Sequence, residues 1–516
     1  MELLDIWKKL QVQKKCVIIS TFLFGLFIHG PIMFKKLAKQ DDILYMFIGG
    51  ETFSSGRWML FTAEKIKNLL FQDSVYNIPT FNVVFSLCCI AAAACILIDL
   101  FEIKSTNLCV LLSGVMVAIP VMASMYAYMF TAQFFSLAVL FAVAGASLVL
   151  TKKQWYWILL GIILMTLSIG IYQAYIPLIL CIFLFGMIKR FSEADTPEKQ
   201  KQAFLRIGII GISCVGFLLL NTLILNFCLK ITGIKLSGYK GIGYATKIPL
   251  TTYLTRAVFA YKEFLLPQRG TFYDILPGSS HTLYLCMHLL TVIFYACFLF
   301  SVWKKSKLNG IMTLLMGLMV PLAVNFIFVM VDETYCYVLM EYGYVMYFVF
   351  FVWIFETVRG QFRPVISTVT RGIVSCILFL MVIIFCRFDN LCYMKLEITQ
   401  AQMTRYFTTL VTRIQDTNGY DASMPVAYIG KPHINENDTT INEIQELNHI
   451  HVSPFFGFRE SLPNEHWRQL MNIFLVFKAW EADPEDFENL PEVQAMPSYP
   501  NKGSIKVIND TLVVKF

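Results

Sequence analysis

PTFNVVFSLCCIAAAACILID, residues 79–99, settles the class of protein. The run carries no charge before Asp99. As a helix rising about 1.5 Å per residue, it is long enough to cross a hydrocarbon core of about 30 Å. Similar runs recur along the chain, and we read about eleven spans: 16–34, 79–99, 107–124, 128–150, 155–170, 171–189, 205–230, 281–303, 309–331, 339–358 and 370–388. Of the 516 residues, 57% are hydrophobic and 15% charged, with a mean hydropathy of +0.61. A soluble chain would carry about a quarter charged residues. The expected fold is a polytopic α-helical membrane protein.

Charge placement gives these spans a direction. With the N-terminus cytoplasmic, the inner segments hold Lys8, Lys9, Lys14 and Lys15, then Lys104, then Lys152 and Lys153. They continue with Lys189, Arg190 and Arg206, then Lys304, Lys305 and Lys307, then Arg359, Arg363 and Arg371. The outer connections 123–127 and 332–338 contain no Lys or Arg, so the positive-inside pattern holds throughout. The net charge of +7 is therefore spent in short loops and does not point to nucleic acid. The first apolar run lacks a small-residue cleavage site behind it and reads as a retained span.

This topology divides the chain into a transmembrane domain, 1–388, and an extracytoplasmic C-terminal domain, 389–516. Two outer loops, 35–78 and 231–280, are too long to be simple connections. In the tail, MPVAYIGKP (424–432) reads as a strand and NEHWRQLMNIFLVF (464–477) as a helix. SIKVINDTLVVKF (504–516) reads as two strands about an Asn509-Asp510 turn, giving a small α/β domain. The chain has 14 cysteines, none after Cys392, and most lie inside apolar runs as small hydrophobes. Neither Cys nor His falls in metal-ligand spacing, so we expect no metal and no cofactor.

The first outer loop holds the most informative chemistry. Asp41 and Asp42 stand side by side just after the first span, with Glu51, Gly56, Arg57 and Trp58 following. Arg57 to Phe71 is amphipathic and suits a helix lying on the membrane surface, with Trp58 at headgroup level. Two adjacent carboxylates at a partly desolvated boundary hold protons more tightly, so one becomes a general base near neutral pH. Arg57 offers a planar fork that matches phosphate oxygens, with Lys35 nearby. A base and a phosphate clamp beside a bilayer suit sugar transfer from a lipid phosphate to a hydroxyl. As the base, we favour Asp42 slightly over Asp41.

The run QDDILYMFIGGETFSSGRWML, residues 40–60, set between a first span and an amphipathic helix, resembles the glucosyltransferase II family. These are bacterial membrane enzymes of the C-type glycosyltransferase architecture that modify O-antigen and other surface glycans. The resemblance rests on the acidic pair and on Gly56-Arg57-Trp58. It implies a polyprenyl-phosphate sugar donor, often glucose, a glycan acceptor, and a catalytic base in this loop. It also implies the bacterial cytoplasmic membrane, with the C-terminus outside.

Other candidates lie further along. Arg256 and Lys262, in a helix-like stretch of the second outer loop, are further donor-phosphate contacts. Asp332 and Glu333 sit at the outer end of a span and, with Glu51 and Trp58, are substrate-binding candidates. The tyrosines of that second loop, Tyr239, Tyr244, Tyr253, Tyr261 and Tyr273, read first as interface anchors. His449, His451, Phe455, Phe456 and Arg459 read first as a packed core, and second as contacts for an acceptor sugar. Two rival functions share the layout. A polysaccharide polymerase would not need a soluble tail of this size. A lipid-linked glycan flippase or transporter would carry ionisable residues inside its spans, where this chain has few.

Overall fold

A computed structural model describes residues 7–38, 40–49, 53–236, 249–267, 276, 278–331, 336–432 and 464–516. The protein is mostly helical and divides into two compact units. The first comprises Met1–Lys35 and Gly49–Asn390, the second Lys36–Ile48 and Leu391–Phe516.

The first unit begins with α1 (Val12–Phe34), while α2 (Gln40–Leu44) belongs to the second. There follow α3 (Trp58–Phe71), α4 (Pro79–Phe101), α5 (Thr106–Ala118), α6 (Pro120–Tyr126), α7 (Met129–Thr151), α8 (Trp155–Ile171) and α9 (Ile176–Glu193). Next come α10 (Pro197–Thr232), α11 (Leu250–Leu265), α12 (Gly278–Lys305), α13 (Lys307–Leu318), α14 (Val320–Val324), α15 (Ile327–Met330), α16 (Val345–Val358) and α17 (Pro364–Gln415). Seven helices among the described residues are long and apolar enough to cross a membrane, and eight if α5 and α6, bent by 44°, count as one.

The other expected spans are helical but short or broken, for local reasons. Pro120 opens α6 and cannot continue the hydrogen bonding of α5. Pro321 lies at the start of α14, so 309–331 is three short helices. The 3₁₀ turns Val338–Met340 and Tyr342–Tyr344 precede α16, which keeps 14 helical residues. The last expected span, 370–388, is part of α17, which runs on for 52 residues to Gln415.

Capping explains where the long helices begin and end. Thr196 accepts a bond from the Lys199 amide ahead of α10, and Pro197 takes the first position, where no amide is needed. At its far end Gly233, at φ +70°, closes the helix onto the Leu229 carbonyl. The buried Arg206 donates to the Val149 and Lys152 carbonyls at 2.6 and 2.7 Å, neutralising the C-terminal end of α7.

The second unit contains β1 (Val426–Ile429), α18 (Asn464–Phe474), α19 (Glu485–Glu488), α20 (Pro491–Gln494), β2 (Ile505–Ile508) and β3 (Thr511–Lys515). The sheet order is β1-β3-β2, with β1 parallel to β3 and β2 antiparallel to it. Asn509 and Asp510, both at positive φ, form the turn between β2 and β3. The unit's core joins Trp467, Leu470 and Met471 of α18 to Phe407, Leu410 and Ile414 of α17, and to Tyr428, Leu512 and Val514 of the sheet. Ala38 and Ile43 belong to the same core. Fully burying an Ile side chain contributes about 1.5–3 kcal/mol, so Ile43 helps to hold α2 in this unit.

Candidate functional site

α2 carries the two aspartates. Gln400 on α17 holds the approach to it, accepting from the Ala38 amide at 2.9 Å and donating to the Lys36 carbonyl at 3.1 Å. The five-residue helix then turns Asp41 and Asp42 in different directions. Asp42 is 0% exposed. The Asp41 side chain is 27% exposed, and its Oδ1 lies 3.2 Å from His466 Nε2 on α18. The two carboxylates therefore differ in exposure, because successive residues of a helix point about 100° apart. His466 was not among the residues read from the sequence, because it is separated from Asp41 by 425 positions.

The Gly56-Arg57-Trp58 motif is explained residue by residue in the first unit. Gly56 is at φ +74°, and its carbonyl accepts from Gln173 Nε2 at 2.9 Å, so the turn needs a glycine. Arg57 caps α3 and sets its guanidinium 4.9 Å from the centroid of Tyr172 and 6.0 Å from that of Phe135. Those two rings stack on one another at 4.8 Å. The Nε of Arg57 is buried and has no hydrogen-bond acceptor among the described residues. Trp58, expected at headgroup level, is 6% exposed. Its indole N–H donates to Asn221 Oδ1 at 2.8 Å, and its ring packs on Gly170, where an added Cβ would lie 2.7 Å from it.

Glu64 on α3 is, with His466, a residue that sequence reading missed. It is 2% exposed, its Oε1 lacks a partner among the described residues, and the backbone of Gly49 closes over its Oε2. Burial pushes its carboxyl up to about 7, against the pull of Lys65 and Lys67. A signal was present: Glu64 is seven residues from Arg57, on the same face of the helix as Leu60. Lys67 is held elsewhere, donating to Asp73 at 2.8 Å and to the Val75 carbonyl at 2.6 Å.

The remaining candidates are dispersed. Lys35 closes the C-terminus of α1 and is exposed. Arg256 is half-buried and Lys262 exposed on α11; six residues apart, they do not share a face. Glu51, Asp332 and Glu333 lie outside the described residues, as do Tyr239, Tyr244, Tyr273 and the stretch holding His449 to Arg459.

Apolar helices of spanning length, with a loop helix whose arginine is set among aromatic rings, define a helical membrane protein. Residues 30–354, more than half of the chain, match the family described as glucosyl transferase GtrII, and the chain belongs to that family. No curated protein and no solved structure matches the chain. Family membership makes it a glycosyltransferase. The matched stretch includes Asp41, Asp42, Arg57 and Glu64, and ends before His466.

Proposed function

We propose that the protein moves a sugar, glucose by its family, from a polyprenyl-phosphate donor to a cell-surface polysaccharide or lipid-linked glycan. The reaction takes place on the outer face of the bacterial cytoplasmic membrane, in a chain of about eleven spans with its N-terminus inside. Asp41 is the general base. Its carboxylate takes the proton of an acceptor hydroxyl, and that oxygen attacks the anomeric carbon. The bond from carbon to the phosphate oxygen breaks, the electron pair leaves with polyprenyl phosphate, and the configuration inverts. As donor-phosphate contacts we propose Arg57, whose planar fork matches phosphate oxygens, with Lys35, Arg256 and Lys262 as further cations.

The observation that carries this reading is the Asp41–His466 pair: a partly exposed carboxylate held by a second polar group, beside a neighbour, Asp42, that is buried. That contrast moves the choice of base from Asp42 to Asp41. Incubating the purified protein in lipid nanodiscs with labelled polyprenyl-phosphate glucose and glycan acceptor tests it. One labelled hexose added per acceptor is expected. Transfer of whole oligosaccharide blocks would indicate a polymerase, and movement across the bilayer without bond formation a flippase; either would contradict the reading.

A further inference from the structure

A cavity of about 470 Å³ opens in the second unit between α18, β1 and the segment after α18. We propose that it binds the uncharged hexose chain of the acceptor glycan, next to the residue that receives the transferred sugar. This proposal rests on the reading of Asp41 as the base.

The lining fits such a ligand in four respects. Glu465, Arg468, Gln469 and Asn472 project from one face of α18, at spacings of three and four residues. They are planar groups that between them offer acceptors (Glu465), donors (Arg468) and both (Gln469, Asn472), which suit adjacent sugar hydroxyls. The charges cancel, with Glu465 and Glu481 set against Arg468 and Lys478, so the cavity selects neither an anion such as phosphate nor a cation. Leu44, Tyr428 and Phe477 add apolar lining, the two rings being only 5% and 8% exposed. The volume lies within the usual range for small-ligand sites, about 300–1,000 Å³.

Arg468 is pre-positioned in this wall. It pairs with Glu481 and lies 5.4 Å from the ring centroids of both Tyr428 and Trp467. Its Nε is a buried donor with no acceptor among the described residues. Beside the cavity, between the lining residues Ala479 and Glu481, Trp480 is 79% exposed and offers an indole face for stacking. The cavity also adjoins the base. Leu44 lies one helical turn from Asp41, and Glu465 is next to His466.

The test uses the full-length protein in nanodiscs and a printed array of neutral gluco-oligosaccharides. Saturable retention is expected, at least tenfold weaker for Arg468→Ala and for Asn472→Ala, with unchanged melting temperatures showing that both variants fold. Asp41→Asn is expected to bind as the wild type does while losing transfer. In transfer assays, the two cavity variants are expected to raise the KM for acceptor and leave the KM for donor unchanged. No saturable binding to any neutral oligosaccharide, or equal binding by the variants, would overturn the proposal. So would Trp480 emission that responds to lipid composition and not to sugar, which would make this face a membrane contact. Wild-type protein that binds the array but never transfers sugar would contradict the proposed reaction and leave the cavity assignment standing. Transfer with acceptor KM unchanged in both variants would do the reverse.

Discussion

Arg57 shows how one residue joins a sequence motif to a proposed role. Glycine before it makes the turn, tryptophan after it anchors the helix to Asn221, and the guanidinium sits over Tyr172 and near Phe135. The acidic pair and this motif were legible because their residue types stand out among apolar neighbours. Which way each side chain points was not legible, because that depends on contacts made across hundreds of positions. Arg57→Lys preserves the charge but loses the fork and most of the ring contact. We expect transfer by the folded protein to fall by about 100-fold with only a small drop in melting temperature, whereas a structural role alone would lower the melting temperature and leave transfer by the folded protein unchanged. Glu64 gives a second prediction at this scale. Its folded carboxyl titrates near 7, above the ordinary 4.5, so the folded state holds a proton that the unfolded chain releases. Stability contributed by the protonated form is therefore lost as pH rises from about 4.5 to about 7, by roughly 3 kcal/mol in total. Glu64→Gln is expected to raise the melting temperature at pH 8, change it little at pH 4, and flatten the profile between them.

Elements were legible where apolar composition alone decides them. α1, α4, α10 and α12 each cover the span read from the sequence, because an apolar run of that length satisfies its backbone best as a helix. Breaks inside apolar runs were less legible. Pro120 and Pro321 were visible, but they do not by themselves reveal whether a helix bends or stops. Close packing was hidden for a different reason: Gly145 and Gly161 look like ordinary small residues in their runs. In the structure they bring α7 and α8 together, and a Cβ at either would lie 2.7 Å from the other's carbonyl oxygen. Helices in lipid associate through such small residues, where backbones approach closely. Gly161→Val is expected to lower stability by about 1–3 kcal/mol, measured as a fall in melting temperature, because the opposing atoms are backbone and cannot rotate aside.

At the scale of the whole molecule, the division into units does not follow the expected boundary alone. The unit that holds Leu391–Phe516 also takes Lys36–Ile48 from the loop after α1. Composition did not reveal this, since the contacts that bind this segment, from Lys36 and Ala38 to Gln400 and from Asp41 to His466, join residues more than 360 positions apart. The turn at Asn509 and Asp510 was readable from two residues, while the parallel pairing of β1 with β3 needs a crossover that no local pattern encodes. Asp41 therefore belongs to the unit that carries the proposed glycan cavity, and Arg57 to the unit that carries the apolar helices. The most direct measurement is single-turnover transfer of labelled glucose from polyprenyl phosphate by Asp41→Asn and Asp42→Asn, each checked for its melting temperature. The account predicts a loss of about 100- to 10,000-fold in Asp41→Asn with the fold intact, and a clearly smaller loss in Asp42→Asn. Transfer by a folded Asp41→Asn protein at the wild-type rate would contradict it.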